Sequence, residues 1–261
     1  MSKIRILTLG DVVGESGTLF LRENLWHFRE ENKIDAVIVN GENSAVKGGI
    51  DKESASLIFA GGADVITTGN HIWKQKSFMS YLDDSVSVIR PANFPDMCAG
   101  RGYTFSDVKG FKMLVINLQG TVFMESLTSP FETADKILER EKGNFDFAVI
   151  DIHAEATSEK IAFALHFDGR ASVIFGTHTH IQTNDARILP SGTGYVTDIG
   201  MTGVFNSVLG IDSELMIKKF ITKIPQYHNT AKGEITMSGA IFELDTDNFK
   251  CTNIELINYT K

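Results

Sequence analysis

Short apolar runs separated by amphipathic stretches occupy the chain from residue 3 to about residue 180. The runs are rich in Val and Ile and close with Gly, Asn, Asp or His, which is typical of buried strands that lead into loops. The predicted strands are residues 4–9, 35–40, 63–68, 86–90, 112–118, 146–152 and 171–176. Helical periodicity lies between and after them. The predicted helices are residues 18–31, 52–60, 77–82, 131–141, 157–167 and 213–222.

Two segments depart from this strand–helix alternation. Residues 103–108 and 111–118 flank Lys109-Gly110 and predict an antiparallel hairpin. The tail predicts two further strands, residues 234–244 and 251–257, on either side of a turn. The fold class is therefore α/β with mixed sheets, and no linker, repeat or low-complexity stretch divides the chain. We predict one domain over residues 1–261.

The charge balance limits the partners. The 261 residues include 25 Lys+Arg and 33 Asp+Glu, a formal net charge of -8, which disfavours extended nucleic acid and anionic membranes. This net charge does not exclude a small anionic substrate that binds at a locally positive site. Cys98 and Cys251 show no metal or redox spacing, and no apolar run reaches the roughly 18 residues of a membrane span. We therefore predict a cytoplasmic protein with no membrane partner; a homo-oligomer is left open.

Polar, metal-capable side chains recur where successive predicted strands end. In an open α/β sheet these carboxyl ends converge on the usual ligand site. The residues are Asp11, Glu42, Asn43, Asn70, His71, His153, His178 and His180. His178 and His180 occupy alternate positions of one segment, which we read as extended, so their side chains should point the same way. The other histidines, His27, His166 and His228, lie in helical or tail segments and are read as incidental.

Any one of these residues alone is more simply a turn former or a structural hydrogen bonder. Five strand ends that carry such donors together favour a metal centre. The set holds His and carboxylate and no Cys, which suits Fe or Mn, with Zn as an alternative, and disfavours a structural Cys-zinc site. Asp151 and Asp198 are candidates for orienting ligand histidines, with a plain turn or cap role equally open.

Eight donors exceed the needs of one ion but suit two ions that share a carboxylate. Two ions about 3.5–4 Å apart can clamp a phosphoryl group and activate water. Glu42 has the central position along the chain and is the predicted bridge. His71 is adjacent to the ligand candidate Asn70 and is better placed as a general acid than as a second ligand of the same ion.

The order of these blocks resembles that of the calcineurin-like metallophosphoesterases. GEN around Glu42 replaces the usual G-D-x-x-D block and Val13 replaces a first-block His, departures that are shared with the bacterial YmdB-like phosphodiesterases. GDVVG, NGEN, TTGNHIW, RPANFP, INLQG, DIHAEATSEK, GTHTHIQT and TDIGMTG also look like that branch. The resemblance runs from Ile4 to about Gly239.

The resemblance implies a four-layer αββα sandwich and a set of roles. Asp11 and His180 would bind one ion and Glu42 would bridge to the second. Asn70, His153 and His178 would complete the coordination of the second ion, Asn43 would bind metal or phosphate oxygen, and His71 would donate the proton. The implied reaction is hydrolysis of cyclic nucleotides, chiefly 2′,3′-cyclic nucleotides to 3′-monophosphates and also 3′,5′-cyclic AMP, by in-line attack of a metal-activated hydroxide.

Two other functions remain open at this point. The first is a regulatory protein that binds metal and nucleotide with low turnover, since the YmdB-like branch is associated with biofilm and motility programmes. The second is a phosphomonoesterase or nuclease that uses the same metal clamp. Dinucleotide-binding, zinc-deaminase and serine-hydrolase motifs are incomplete or missing.

Overall fold

The computed structural model describes residues 3–226 and 229–261, so His228 lies outside the described residues. The helices are α1 (Gly14–Glu31), α2 (Lys52–Gly61), α3 (Met79–Asp84), α4 (Pro130–Arg140), α5 (Thr157–His166) and α6 (Ser213–Thr222). The strands are β1 (Lys3–Leu9), β2 (Asp11–Val12), β3 (Ala36–Asn40), β4 (Val65–Thr67), β5 (Tyr103–Val108), β6 (Phe111–Gln119), β7 (Phe147–His153), β8 (Val173–Thr177), β9 (Arg187–Ile188), β10 (Gly194–Val196), β11 (Met201–Val204), β12 (Ile235–Asp245) and β13 (Cys251–Thr260).

The strands form two mixed sheets. The first has the order β2-β11-β12-β1-β3-β4, with β13 paired to β12, and the second has the order β5-β6-β7-β8-β10-β9. The runs β1-β3-β4 and β6-β7-β8-β10 are parallel. The β5–β6 hairpin and the pairings of β12 with β1, β11 and β13 are antiparallel. The predicted hairpin, tail strands and mixed sheets are thus confirmed.

Alternation along the strands produces four layers. In β1, Ile6 packs between the two sheets, whereas Leu7 packs beneath α1 and α2. In β6, Val115 packs between the sheets, whereas Ile116 packs on the side of α4 and α5. Because each central strand is buried on both faces, its sequence is a continuous apolar run. The layers are helices, sheet, sheet and helices, which is the predicted αββα sandwich.

Two predicted elements differ from the structure. Residues 86–90 form no strand and contribute only an isolated bridge between Val88 and Ile66. Pro91 follows directly, and because proline donates no N–H and restricts the residue before it, the ladder does not continue. Helix α1 begins at Gly14, four residues before its predicted start, and Gly14 takes a left-handed φ of 68°.

Two further predictions concern the whole chain. Among the described residues, no helix combines the length and the apolarity that a bilayer crossing requires. That residues 1–261 form one domain stays a prediction.

Candidate active site

The predicted donors meet at one edge of the sandwich, where parallel strands of both sheets end. The first sheet contributes Asp11, the first residue of β2, and the loops after β3 and β4, and the second contributes the end of β7 and the loop after β8. Each donor contacts at least one other, in a cluster that consists of Asp11, Glu42, Asn43, Asn70, His71, His153, His178 and His180. The structure therefore brings together all eight side chains, although they come from two sheets rather than one.

Local backbone geometry allows this convergence. A Cβ on Gly69 would lie 2.2 Å from Nε2 of His153, so only glycine lets the loop after β4 pass the ring. Strand β8 ends at Thr177, and His178 and His180 both have a left-handed backbone, with φ of 100° and 64°. The expected extended segment is therefore wrong, and the alternation that predicted a shared direction for the two side chains does not apply. Such strain in non-glycine residues is typical of functional sites.

Nitrogen and oxygen atoms of the first half of the cluster surround Nε2 of His153. Asn70 Oδ1 lies 3.0 Å from it, His178 Nδ1 lies 3.1 Å from it and Glu42 Oε1 lies 3.5 Å from it. Ligand atoms bound about 2.1 Å from a common ion are separated by about 3.0–3.4 Å. The spacing around His153 Nε2 therefore fits a shared cation.

Asp11 and His180 form the second half. Asp11 Oδ1 lies 3.7 Å from His180 Nε2, and Asn43 Nδ2 lies 3.5 Å from the same ring atom. His180 Nδ1 lies 3.2 Å from the carbonyl oxygen of Leu209. Because a carbonyl oxygen only accepts, Nδ1 carries the hydrogen, and Nε2 of the neutral ring keeps a lone pair that can bind metal.

The two carboxylates are buried without full compensation. Asp11 Oδ1 and Glu42 Oε2 have no hydrogen-bond partner among the described residues. Burial raises the pKa of Asp11 and raises that of Glu42 to about 7, although neighbouring histidines oppose both changes. A buried carboxylate oxygen without a donor is costly unless a cation compensates it. The donor chemistry of this cluster therefore fits divalent metal ions.

The amide side chains are a necessary part of this fit. The described His, Cys, Asp and Glu residues alone form no group of three that could hold an ion. Oδ1 of Asn70 adds the missing donor beside His153, and Asn43 lies between His71 and His180. Oxygen-rich sets of this kind, with imidazole, suit first-row divalent ions.

His71 is tied to the same carboxylate but is partly open to solvent. Its backbone N–H donates to Glu42 Oε1 at 2.8 Å, and its Nδ1 lies 2.8 Å from Asn43 Oδ1 and 3.1 Å from Glu42 Oε1. Both neighbours of Nδ1 are acceptors, so Nδ1 carries a hydrogen and Nε2 is the atom left for a substrate. Desolvation lowers the pKa of His71, and Glu42 opposes this change.

A buried polar network contacts Nδ1 of His153. Thr177 Oγ1 donates to Asp151 Oδ1 at 2.8 Å and lies 2.9 Å from His153 Nδ1. Thr67 and Asn40, from the other sheet, also donate to Asp151. Because the one hydroxyl hydrogen of Thr177 goes to Asp151 Oδ1, its oxygen accepts from His153 Nδ1–H. The lone pair of His153 Nε2 is thereby directed into the cluster.

The two predicted orienting aspartates act differently. Asp151 reaches a histidine only through Thr177, a residue that the sequence analysis missed even though it directly follows the predicted strand 171–176. Asp198 binds the fully buried Lys160 at 2.9 Å and accepts from the N–H and hydroxyl of Thr179. Asp198 therefore holds the backbone of the β8 loop and not an imidazole ring.

This fold, with carboxylate, amide and imidazole donors at the edge shared by two sheets, defines a phosphoesterase of the metallophosphoesterase class, whose members use divalent metal ions. The family model described as YmdB-like protein matches residues 7–257, and the chain belongs to that family. A 2′,3′-cyclic-nucleotide 2′-phosphodiesterase of Bacillus subtilis (strain 168) is 42% identical over 254 residues, which cover 97% of this chain and 96% of the relative.

Solved structures agree with this assignment. A novel phosphatase from Mycoplasma pneumoniae superposes with a TM-score of 0.93 at 33% identity, over 100% of this chain and 94% of the other. A hypothetical protein from Thermus thermophilus superposes with a TM-score of 0.91 at 38% identity, over 99% and 100% of the two chains. The predicted family and fold are confirmed, and the roles of the eight residues stay predictions.

Proposed function

We propose that this protein hydrolyses 2′,3′-cyclic nucleotides to 3′-monophosphates with the help of two divalent metal ions. The observation that carries the proposal is the pair of buried carboxylates, Asp11 and Glu42, that contact imidazole groups of the cluster and that each keep one buried oxygen without a hydrogen-bond partner among the described residues. The name of the Bacillus subtilis relative supports the choice of substrate. Fe or Mn suits the donor set best, with Zn as an alternative.

Each donor has a proposed role. Asp11 and His180 would hold one ion, Glu42 would be shared by both ions, and Asn70, His153 and His178 would hold the second. Asn43, which contacts both His71 and His180, binds metal or phosphate oxygen. When bound, the ions supply an activated water and neutralise charge on the phosphoryl group. In its imidazolium form, His71 keeps its Nδ1–H on Asn43 Oδ1 and Glu42 Oε1 and donates its Nε2 proton to the ribose oxygen that leaves.

The proposed partner is a small phosphodiester and not extended nucleic acid or a membrane. The net charge of -8 repels a long polyanion, whereas cations in the cluster reverse the field locally. Hydrolysis of 3′,5′-cyclic AMP is a secondary expectation. A cytoplasmic location and a homo-oligomeric state stay predictions.

Steady-state hydrolysis tests this function. Protein loaded with Mn²⁺ or Fe²⁺ is compared on 2′,3′-cyclic AMP, 3′,5′-cyclic AMP, 3′-AMP and a short RNA. We expect the highest kcat/KM for 2′,3′-cyclic AMP, release of 3′-AMP, loss of turnover with a chelator and loss of turnover in Asp11→Asn. The highest kcat/KM on the monoester or RNA would make the protein a phosphomonoesterase or nuclease. No metal-dependent turnover on any substrate would favour a regulatory binding protein.

Thr177→Val is expected to weaken metal binding about 10- to 100-fold, the usual effect of losing a partner that orients a ligand histidine. Valine has nearly the shape of threonine, but it removes the acceptor for His153 Nδ1–H. Metal affinity is measured by calorimetry. The tautomer of His153 is read from long-range ¹H–¹⁵N NMR of the metal-free protein. In the variant, the His153 ring should no longer prefer the tautomer with the hydrogen on Nδ1.

Thr177→Ser is the matched control, because it keeps the hydroxyl and loses only a methyl group. It should restore both the metal affinity and the Nδ1–H tautomer. Equal metal affinities in wild type and Thr177→Val would contradict the orienting role.

A further inference from the structure

A groove of about 480 Å³ opens beside the metal-donor cluster. His180 belongs to both: its ring contacts Asp11 and Asn43 in the cluster, and the same residue lines the groove. Leu209, which also lines the groove, accepts from His180 Nδ1 through its carbonyl oxygen. The groove is therefore continuous with the cluster, and its volume falls within the range of about 300–1,000 Å³ typical of small-molecule sites.

Most polar side chains of the groove already bind one another. Gln182 Nε2 donates to the carbonyl oxygens of Gly239 and Ile257, and its Oε1 accepts from Asn258 Nδ2 at 2.7 Å. Ser238 Oγ donates to Asn258 Oδ1, also at 2.7 Å. These groups form a satisfied floor, which leaves little hydrogen-bonding capacity for a ligand.

The walls are apolar and exposed. Phe205 is 65% exposed, Ile181 is 60% exposed and Leu209 is 40% exposed. Large apolar side chains that stay in water around a concave surface mark a binding site. The ligand that fits must present a flat apolar body to the groove while its charged group lies at the cluster.

We infer that this groove holds the base of the cyclic nucleotide, with the base stacked on Phe205, an inference that rests on the proposed function. In a 2′,3′-cyclic nucleotide the base on C1′ and the phosphoryl group on O2′ and O3′ lie on opposite faces of one ribose ring, which matches a polar cluster joined to an apolar groove. Every base has an aromatic face, so stacking is tolerant of sequence. Because the polar floor is satisfied, the site discriminates weakly among adenine, guanine, cytosine and uracil.

Phe205→Ala tests the inference through a comparison of two substrates. One is 2′,3′-cyclic AMP and the other is 1-O-methylribose 2′,3′-cyclic phosphate, which lacks the base. We expect KM for 2′,3′-cyclic AMP to rise about 5- to 100-fold, the usual effect of losing one base–aromatic stack, with a much smaller change in kcat. KM for the base-free substrate should be the same in wild type and variant.

Phe205→Tyr should restore KM because it keeps the ring. Phe220→Ala on α6 is the matched control, since Phe220 is also exposed, at 60%, but does not line the groove. Calorimetric binding of 3′-AMP to each protein gives a readout that needs no turnover. Phe205-dependent 3′-AMP binding without hydrolysis would support the groove and overturn the proposed function.

Three results would overturn the inference while leaving the proposed function in place. The first is an unchanged KM and 3′-AMP affinity in Phe205→Ala. The second is an equal KM of the wild type for the nucleotide and the base-free substrate. The third is a change of molecular mass by light scattering in Phe205→Ala with KM unchanged, which would assign the groove to a contact with a second copy of the chain.

Discussion

Glu42→Gln should abolish metal-dependent turnover while leaving the metal-free fold at least as stable as the wild type. The glutamine keeps an acceptor for His71 N–H but loses the charge that two ions would share, so we expect kcat to fall at least about 100- to 1,000-fold. In the metal-free protein the same substitution removes a buried carboxylate whose Oε2 has no partner among the described residues.

The stability effect has a defined pH dependence. Burial raises the pKa of Glu42 from 4.5 to about 7, so the folded metal-free protein binds this proton more tightly than the unfolded chain does. The bound proton of Glu42 contributes fully to the stability of the folded metal-free protein below about pH 4.5, and this contribution is lost as the pH rises to about 7. At pH 8 without metal, Glu42→Gln should therefore raise the free energy of unfolding by up to about 3 kcal/mol.

Urea unfolding at pH 8, with and without Mn²⁺, measures the free energy of unfolding of the wild type and of Glu42→Gln. Added metal should stabilise the wild type much more than Glu42→Gln. Glu23→Gln, which changes an exposed carboxylate on α1, is the control and should alter neither activity nor stability. Full turnover in Glu42→Gln would remove the bridging role, and a less stable metal-free variant would show that the carboxylate is compensated by groups within the protein.

His71→Ala should lower kcat for 2′,3′-cyclic AMP about 100- to 10,000-fold, the usual contribution of a general acid. The ribose oxygen is a poor leaving group and needs a proton as it departs. A p-nitrophenyl phosphodiester releases a stable anion and should be hydrolysed almost as fast by the variant as by the wild type. The ratio of the two losses therefore reports proton donation and not general damage to the site.

His27→Ala provides the matched control, because His27 is exposed on α1. It should behave as wild type on both substrates. Metal content is measured alongside, since Nδ1 of His71 lies 3.1 Å from Glu42 Oε1 and its loss can disturb the carboxylate. Equal losses on both substrates at full metal content would assign His71 to binding, and full activity on 2′,3′-cyclic AMP would leave it without a role.

The donor residues could be found from sequence because each follows a short buried strand with a strong Val and Ile pattern. Asp11 after β1 and His153 at the end of β7 are examples. The shape of the loops was harder to anticipate. The left-handed backbone of His178 and His180 depends on contacts with distant residues, including the bond from His178 N–H to Asp11 Oδ2, and no local pattern reports it.

Features built from distant segments were out of reach of the sequence. Thr177 resembles any threonine at a strand end until Asp151 and His153 are seen on either side of its hydroxyl. Strand β11 is four residues long, too short for a periodic signal, and yet it supplies part of the groove wall beside Phe205. The groove joins β11 to β12 and β13, and the pairing of β11 with β12 spans the intervening α6, so no local pattern reports it.

Because the donors are divided between two sheets, the distance between the sheets sets the distances between the donor atoms. Glu42 follows a strand of one sheet and His153 ends a strand of the other, so the apolar layer that contains Ile38 and Val149 acts as a spacer between them. A change of one methylene in that spacer is felt throughout a close-packed interior. The rate of turnover should therefore depend on the thickness of the apolar layer between the sheets. Substitutions that repack this layer should change kcat even though they lie far from the donor atoms.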